Sequence, residues 1–373
     1  MGDTANLVMN WRSVMMGMVC IPIIICALVL FLKTVEKPAS RYLAAFLLVA
    51  VLSMGPQIIG YAGFYDVWPG LTYFPPFYLE AWLGPLLYLH ADRLMRGGQY
   101  GWRKLLFIPG IIQIAYYSWA FFGLGDYQAK WAYNKAVHAP FVVPVESLFE
   151  ISFIILGFIA IWRLKKRYNN FLQDTSSAAM DYDPIWLRHM VIAVGLAGGI
   201  YAVLEVINAI NPISYNAAFP FQVLIMTILA WLALDAAWRL SKPFPKLRSS
   251  SGEETITGSE SKDWPNEAKT LKSKIVEEKW YLESRLSIRE VASRLGTNET
   301  YVSRSLNRGL GLSFNNLINQ FRIEHAKILI NQSNASVLSI ALDSGFNSKA
   351  TFNRVFRDIT NMTPTQYKKS QIP

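Results

Sequence analysis

Two arginines, Arg304 and Arg354, recur in similar surroundings 50 residues apart. Each shares a helical face with short polar or basic side chains. Around the first stand Thr300, Ser303, Asn307 and Arg308; around the second, Lys349, Thr351, Asn353 and Arg357. A guanidinium can hold guanine through two hydrogen bonds, worth about 1–3 kcal/mol of discrimination, and neighbouring cations neutralise phosphate. Presented on helices, these residue types suit the base edges and backbone of double-stranded DNA rather than covalent chemistry.

No catalytic set competes with that reading. The histidines His90, His138, His189 and His325 are scattered without the spacing of metal ligands. There is no HExxH, no glycine loop to cradle a phosphate, and no set of nucleophile, base and acid. The last apolar run has no interior lysine for a Schiff base. No enzyme activity, metal or cofactor is expected. Cys20 and Cys26 both sit in the first apolar run, where they read as packing rather than as a disulfide framework.

The arginines are positioned by a repeat. "VASRLGTNETYVSRSLNRGLGLSFNNL" (291–317) lies over "IALDSGFNSKATFNRVFRDITNMTPTQY" (340–367), matching Ala292 to Ala341, Gly296 to Gly345 and Arg304 to Arg354. Each copy reads as helix, turn, helix. Ser287 and Glu290 make a capping box that starts the first helix. Gly296 suits a left-handed turn, and Asn298 caps the helix that follows. In the second copy Gly345 takes the turn and Ser348 the cap. Val302 and Leu306, like Phe352 and Phe356, fall four apart and turn inward. Between the copies Phe314, Leu317, Ile318, Phe321, Ile328 and Leu329 keep a helical period, which predicts one long joining helix. Two such units fit successive major grooves on one face of DNA.

On these motifs the last 107 or so residues resemble the DNA-binding domain of the AraC/XylS family of bacterial transcription regulators. The match is carried by "SIALDSGF", "TFNRVFR" and "TPTQY" in the second unit and by "FRIEHAKILI" in the joining helix. The resemblance implies double-stranded DNA and RNA polymerase as partners, and leans toward activation. By motif it places base or groove contacts at Thr300, Ser303 and Arg304, and at Lys349, Ala350, Asn353 and Arg354. Asn361 stands where the family usually has glycine, and Leu306 replaces a common Phe. Small Thr300, Ser303 and Ala350 predict few direct base contacts, so DNA shape carries more of the readout.

The remainder has another character. Hydrophobic residues make up 52% of the chain and charged ones only 17%, poor in charge for a soluble protein. Residues 241–373 hold 20 Lys and Arg against 13 Asp and Glu, most of the whole chain's net +10. Before them lie seven apolar stretches, 13–32, 41–62, 72–90, 105–123, 144–162, 187–209 and 217–238, each near the 20 or so residues that cross a bilayer. Pro75, Pro76 and Glu80 interrupt the third. Sixteen Lys and Arg flank one side, after the odd-numbered stretches, against only Arg12, Lys130 and Lys135 on the other. That bias makes the first side cytoplasmic, with the N-terminus outside and the basic tail inside.

The expected architecture is all-α: a seven-helix transmembrane bundle (1–240), a flexible cytoplasmic linker (241–264), and a soluble domain of two helix-turn-helix units joined by a long helix (265–373). The location is the bacterial cytoplasmic (inner) membrane, with the lipid bilayer as a further partner. Glu80, Glu150 and Glu205, with Gln57, Glu146, Gln222 and several Tyr and Trp, lie toward the outer half of the stretches and suit a cationic or amphipathic ligand. "GLAGG" (195–199) has a small-residue spacing that favours close helix packing, within one chain or across a homodimer. The functional reading is a one-component regulator that senses a signal through its spans. The rival is a transporter or channel-like bundle with a regulatory DNA-binding tail.

Overall fold

The computed structural model describes residues 10–97, 101–210, 217–240, 243–247, 263–332 and 335–371. Among them all regular structure is helical, apart from an isolated antiparallel bridge between Ser176 and Ser287. The chain forms two compact units. One comprises residues up to 164 with 184–246; the other joins 165–183 to 247–373.

The first unit holds α1 (Trp11–Leu32), α2 (Lys37–Leu52), α3 (Gly55–Tyr61), α4 (Phe64–Val67), α5 (Leu83–Met95), α6 (Ile108–Gly123), α7 (Tyr127–Tyr133), most of α8 (Val143–Thr175), α9 (Ile185–Ile210) and α10 (Phe219–Arg239). In α1, Met16, Cys20, Ile23 and Leu30 face inward, while the outward side is equally apolar, with Ile21, Ile25, Leu28 and Leu32 exposed. A helix apolar all round is built for lipid. Among the described residues five stretches are long and apolar enough to cross a membrane: Trp11–Leu32, Lys37–Tyr61, Arg103–Gly123, Tyr127–Thr175 and Phe219–Arg239.

The expected third stretch, 72–90, does not form a spanning helix. Residues before Leu83 run as short 3-10 turns and irregular chain, and α5 has only 13 residues, about 20 Å of rise against a core of about 30 Å. Pro75 and Pro76 remove backbone donors there, and Phe74 takes a positive φ of 60°. The sixth stretch does form a helix, α9, although it is not among the five and part of its side chains lie outside the described residues. A π-helical stretch, Asn134–Val142, joins α7 to α8.

Several polar groups inside this unit are paired. Asp92, fully buried, pairs with Arg103 and lies 3.5 Å from Arg96. Asp235 accepts from Arg239 Nε at 2.8 Å. Lys246 meets Glu36 and donates to the Leu94 carbonyl at 2.9 Å, and the Phe244 amide donates to Glu36 Oε1 at 2.8 Å, so residues 244–246 of the expected linker belong to this unit. At Gly195 and Gly199 a β-carbon would meet nothing within 4 Å, so no described residue closes on that small-residue face.

The second unit holds α11 (Trp264–Glu277), α12 (Ile288–Arg294), α13 (Glu299–Leu310), α14 (Phe314–Gln332), α15 (Val337–Asp343), α16 (Lys349–Thr360) and α17 (Pro364–Ser370). It has two cores strung on α14. Val291, Val302, Leu306, Phe314 and Leu317 centre the first; Ile323, Ala341, Phe346, Phe352 and Phe356 centre the second. Of the periodic residues in α14, Ile328 alone points away, at 50% exposure.

Candidate nucleic-acid interface

Local chemistry fixes both helix-turn-helix units. Ser287 and Glu290 form the reciprocal capping box at the start of α12, with Glu290 Oε2 accepting from the Ser287 amide at 2.7 Å. Gly296 turns with φ +64°, and Asn298 Oδ1 caps α13 by accepting from the Tyr301 amide at 2.8 Å. In the second unit Gly345 has φ +83° and Ser348 Oγ accepts from the Thr351 amide at 3.2 Å. Asn361 ends α16 at φ 59°, the left-handed backbone that asparagine tolerates in glycine's place. Leu306 is fully buried and fills its core position without a phenyl ring.

These frames set the proposed contact residues on exposed faces. On α13, Thr300, Asn307 and Arg308 are exposed and Ser303 and Arg304 half-buried; Asn307 Nδ2 donates to Ser303 Oγ at 3.2 Å. On α16, Lys349, Ala350 and Arg354 are exposed and Thr351 and Asn353 half-buried. The opposite faces bury Val302, Leu306, Phe352 and Phe356 completely. Each second helix thus offers a polar, cationic ridge backed by a rigid core, the form needed to enter a groove. Each of these two helices carries a single acid of its own, Glu299 on α13 and Asp358 on α16.

Sequence reasoning missed two features of this unit. Arg322, in the middle of α14, is 1% exposed. Its guanidinium donates to the carbonyls of Tyr281 at 2.7 Å, Glu283 at 2.6 Å and Ser177 at 3.2 Å, and to Ser177 Oγ at 3.1 Å. Burial lowers its pKa to about 10, opposed by the charge of Asp181. The signal was there: Arg322 follows Ile318 by four residues, in the apolar phase of the helix. The second feature is the stretch 174–183, which packs into this unit and has no counterpart in the repeat.

In the first unit the structure brings Glu80 and Glu150 together with Glu146. Gln113 Nε2 donates to Glu146 Oε1 at 2.5 Å and to Glu150 Oε1 at 3.0 Å, and the Tyr117 hydroxyl donates to Glu146 Oε2 at 2.8 Å. Tyr78 stacks on Tyr117 with centroids 4.4 Å apart. Glu80 opens the 3-10 turn Glu80–Trp82, within electrostatic reach of Glu150 and Glu146. Glu205 lies on α9, and its side chain is outside the described residues. Among the described residues no group of His, Cys, Asp and Glu is arranged to hold a metal ion.

The fold and the paired ridges define a helix-turn-helix DNA-binding domain, and residues 291–370 match the family model described as a helix-turn-helix domain. The domain is of the AraC type. It is similar to an uncharacterized HTH-type transcriptional regulator of Staphylococcus aureus, 37% identical over 83 residues that are 22% of this chain and 11% of that protein. It is also similar to the melibiose operon regulatory protein of Escherichia coli, 33% identical over 84 residues, covering 22% of this chain and 28% of that protein. Among solved structures, the C-terminal domain of AraT, a response regulator from Geobacillus stearothermophilus, is 26% identical and covers 28% of this chain and 84% of that one, with a TM-score of 0.26. The chain therefore spans about a tenth of the length of the first relative and under a third of the second.

Proposed function

We propose that this chain is a membrane-embedded, one-component transcription regulator that binds promoter DNA sequence-specifically through α13 and α16. The carrying observation is the fusion of an AraC-type helix-turn-helix domain to lipid-suited helices in one chain. Thr300, Ser303, Arg304, Asn307 and Arg308 face DNA in the first unit; Lys349, Ala350, Thr351, Asn353 and Arg354 do so in the second. Activation, through contact with RNA polymerase, is the favoured direction.

The sixteen-to-three charge bias supports a bacterial inner-membrane location with the DNA-binding domain in the cytoplasm. The bias sorts to one side only if the chain crosses at α5 and α9 as well as at the five apolar helices. In this reading the irregular chain before α5 and α5 itself form a broken span, and broken spans are tolerated where they line a protein interior. That interior holds Glu80, Glu146 and Glu150, and with Glu205 it forms the site for a cationic or amphipathic signal molecule. A homodimer paired through the open glycine face of α9 would place two DNA-binding domains on adjacent half-sites.

The test replaces residues 1–240 by an unrelated membrane anchor of the same orientation and follows transcription of the target genes. Loss of the signal response with retained DNA binding is expected. An unchanged response would reduce the bundle to a passive anchor.

A further inference from the structure

The connection between α8 and α9 is built into the DNA-binding unit. Its centre is buried: Ser176, Ser177, Ala178 and Ala179 are each 8% exposed or less. The Ser177 amide donates to the Leu286 carbonyl at 3.0 Å, Asn315 Nδ2 donates to the Ser176 carbonyl at 2.9 Å, and Arg322 grips Ser177 from α14. Residues 165–183 belong to the same compact unit as the two helix-turn-helix motifs.

The flanks of this plug land on the DNA-reading residues. Asp181 Oδ1 accepts from the Thr351 hydroxyl at 3.1 Å and its Oδ2 from Asn347 Nδ2 at 2.7 Å. Met180 Sδ accepts from Arg354 Nε at 3.2 Å. On the other flank, Asp174 is hydrogen-bonded by the Asn307 side chain. Asp183 turns away to Lys165, at 3.0 Å. Two carboxylates and a thioether thus hold Asn307, Thr351 and Arg354, with acceptors where a duplex would present phosphate and base acceptors. A donor satisfied by Asp181 or Met180 cannot serve DNA at the same time.

We propose that the α8–α9 connection is an intramolecular competitor of DNA: docked, it silences the reading faces of α13 and α16, and its withdrawal frees them. This rests on the assignment of α13 and α16 as DNA readers. Ser176–Ala179 and Arg322 alone would suffice as a structural brace. A brace does not require acidic side chains set on the reading donors, and that placement makes the connection a competitor. Tethering favours it, because a segment linked within the same chain competes at an effective concentration in the mM range. The apparent DNA affinity then falls by the fraction of molecules left open. Both ends of the connection continue into apolar helices, so a shift of α8 against α9 would change its grip without any separate messenger.

The test uses the full chain in lipid nanodiscs and duplexes selected from a random-sequence pool, with the parent and Asp174→Ala/Asp181→Ala each used for selection. The loop variant is expected to bind the selected duplex about tenfold more tightly than the parent, within the usual range of allosteric coupling. Arg304→Ala/Arg354→Ala is expected to lose binding. If the loop variant and the parent bind equally while the arginine variant loses binding, the competitor is overturned and the DNA assignment stands. If the arginine variant binds as well as the parent, or no duplex is selected at all, the DNA assignment fails and the competitor with it. An Asp181→Cys/Thr351→Cys pair covers the case of a misfolded loop variant. Oxidised, it should be silent toward DNA and recover on reduction; equal binding in both states would also overturn the competitor.

Discussion

Arg354 and Lys349 leave the same exposed face of α16, yet they should fail differently when removed. Arg354→Ala is expected to weaken binding to the preferred duplex by about 1–3 kcal/mol and to relax specificity at one base pair. Lys349→Ala should weaken all duplexes alike and reduce the slope of log affinity against log salt by about one. Titrations at several salt concentrations separate the two, and identical salt slopes with identical specificity would remove the distinction. Burial and the neighbouring Lys279 lower the pKa of His325, against the weaker pull of Asp343. The unfolded chain therefore binds more protons than the folded one below the imidazole's ordinary pKa of about 6.5, so stability falls as pH drops through that range. His325→Gln should flatten this dependence, as read by hydrogen exchange of α14 between neutral and mildly acidic pH. Arg322 belongs to this scale too. Its replacement by leucine strands the carbonyls of Tyr281 and Glu283 and should cost about 1–3 kcal/mol for each acceptor left unpaired.

At the scale of the element, the two turn glycines do unequal work. Both have positive φ, but a β-carbon at Gly345 would lie 2.7 Å from the Leu282 carbonyl oxygen, whereas at Gly296 it would meet nothing within 4 Å. Gly345→Ala should therefore destabilise the domain clearly more than Gly296→Ala, which bears the backbone cost alone. Equal losses of exchange protection in α15–α16 and α12–α13 would contradict this. Removal of a cap, Asn298→Ala or Ser348→Ala, should cost about 0.5–2 kcal/mol. These elements were legible because caps, glycines and apolar periods are local signals. The broken third stretch was half legible: Pro75 and Pro76 announced an interruption, but hydropathy cannot say whether a helix resumes after it. Gly309 was silent in sequence, although a β-carbon there would lie 2.3 Å from the Trp264 carbonyl oxygen, where α11 crosses α13. The plug at 174–183 was unreadable for the same reason. Ser176 meets Ser287 and Asn315 across more than 100 residues of sequence, and no local pattern encodes such a meeting.

At the scale of the whole molecule, apolar helices fit for lipid and a helix-turn-helix domain share one chain, and the route proposed between them is the α8–α9 connection. Composition divides the chain near residue 240, with apolar stretches before it and a basic surplus after it, whereas the second compact unit also takes in 165–183. The topology proposed from the lysines and arginines would set 165–183 and the tail on one side of the bilayer, and these two segments share one compact unit. Substituting Glu80→Gln with Glu150→Gln should blunt the transcriptional response while leaving DNA affinity of the open state unchanged; an intact response would remove these carboxylates from signal detection. The central claim, that a membrane-embedded chain reads promoter DNA, is tested most directly by genome-wide crosslinking of the full-length protein in its native cell, beside Arg304→Ala/Arg354→Ala at equal abundance in the membrane. The account predicts discrete sites for the parent that vanish in the variant. The same sites in both, or none above background for the parent under several growth conditions, would contradict it.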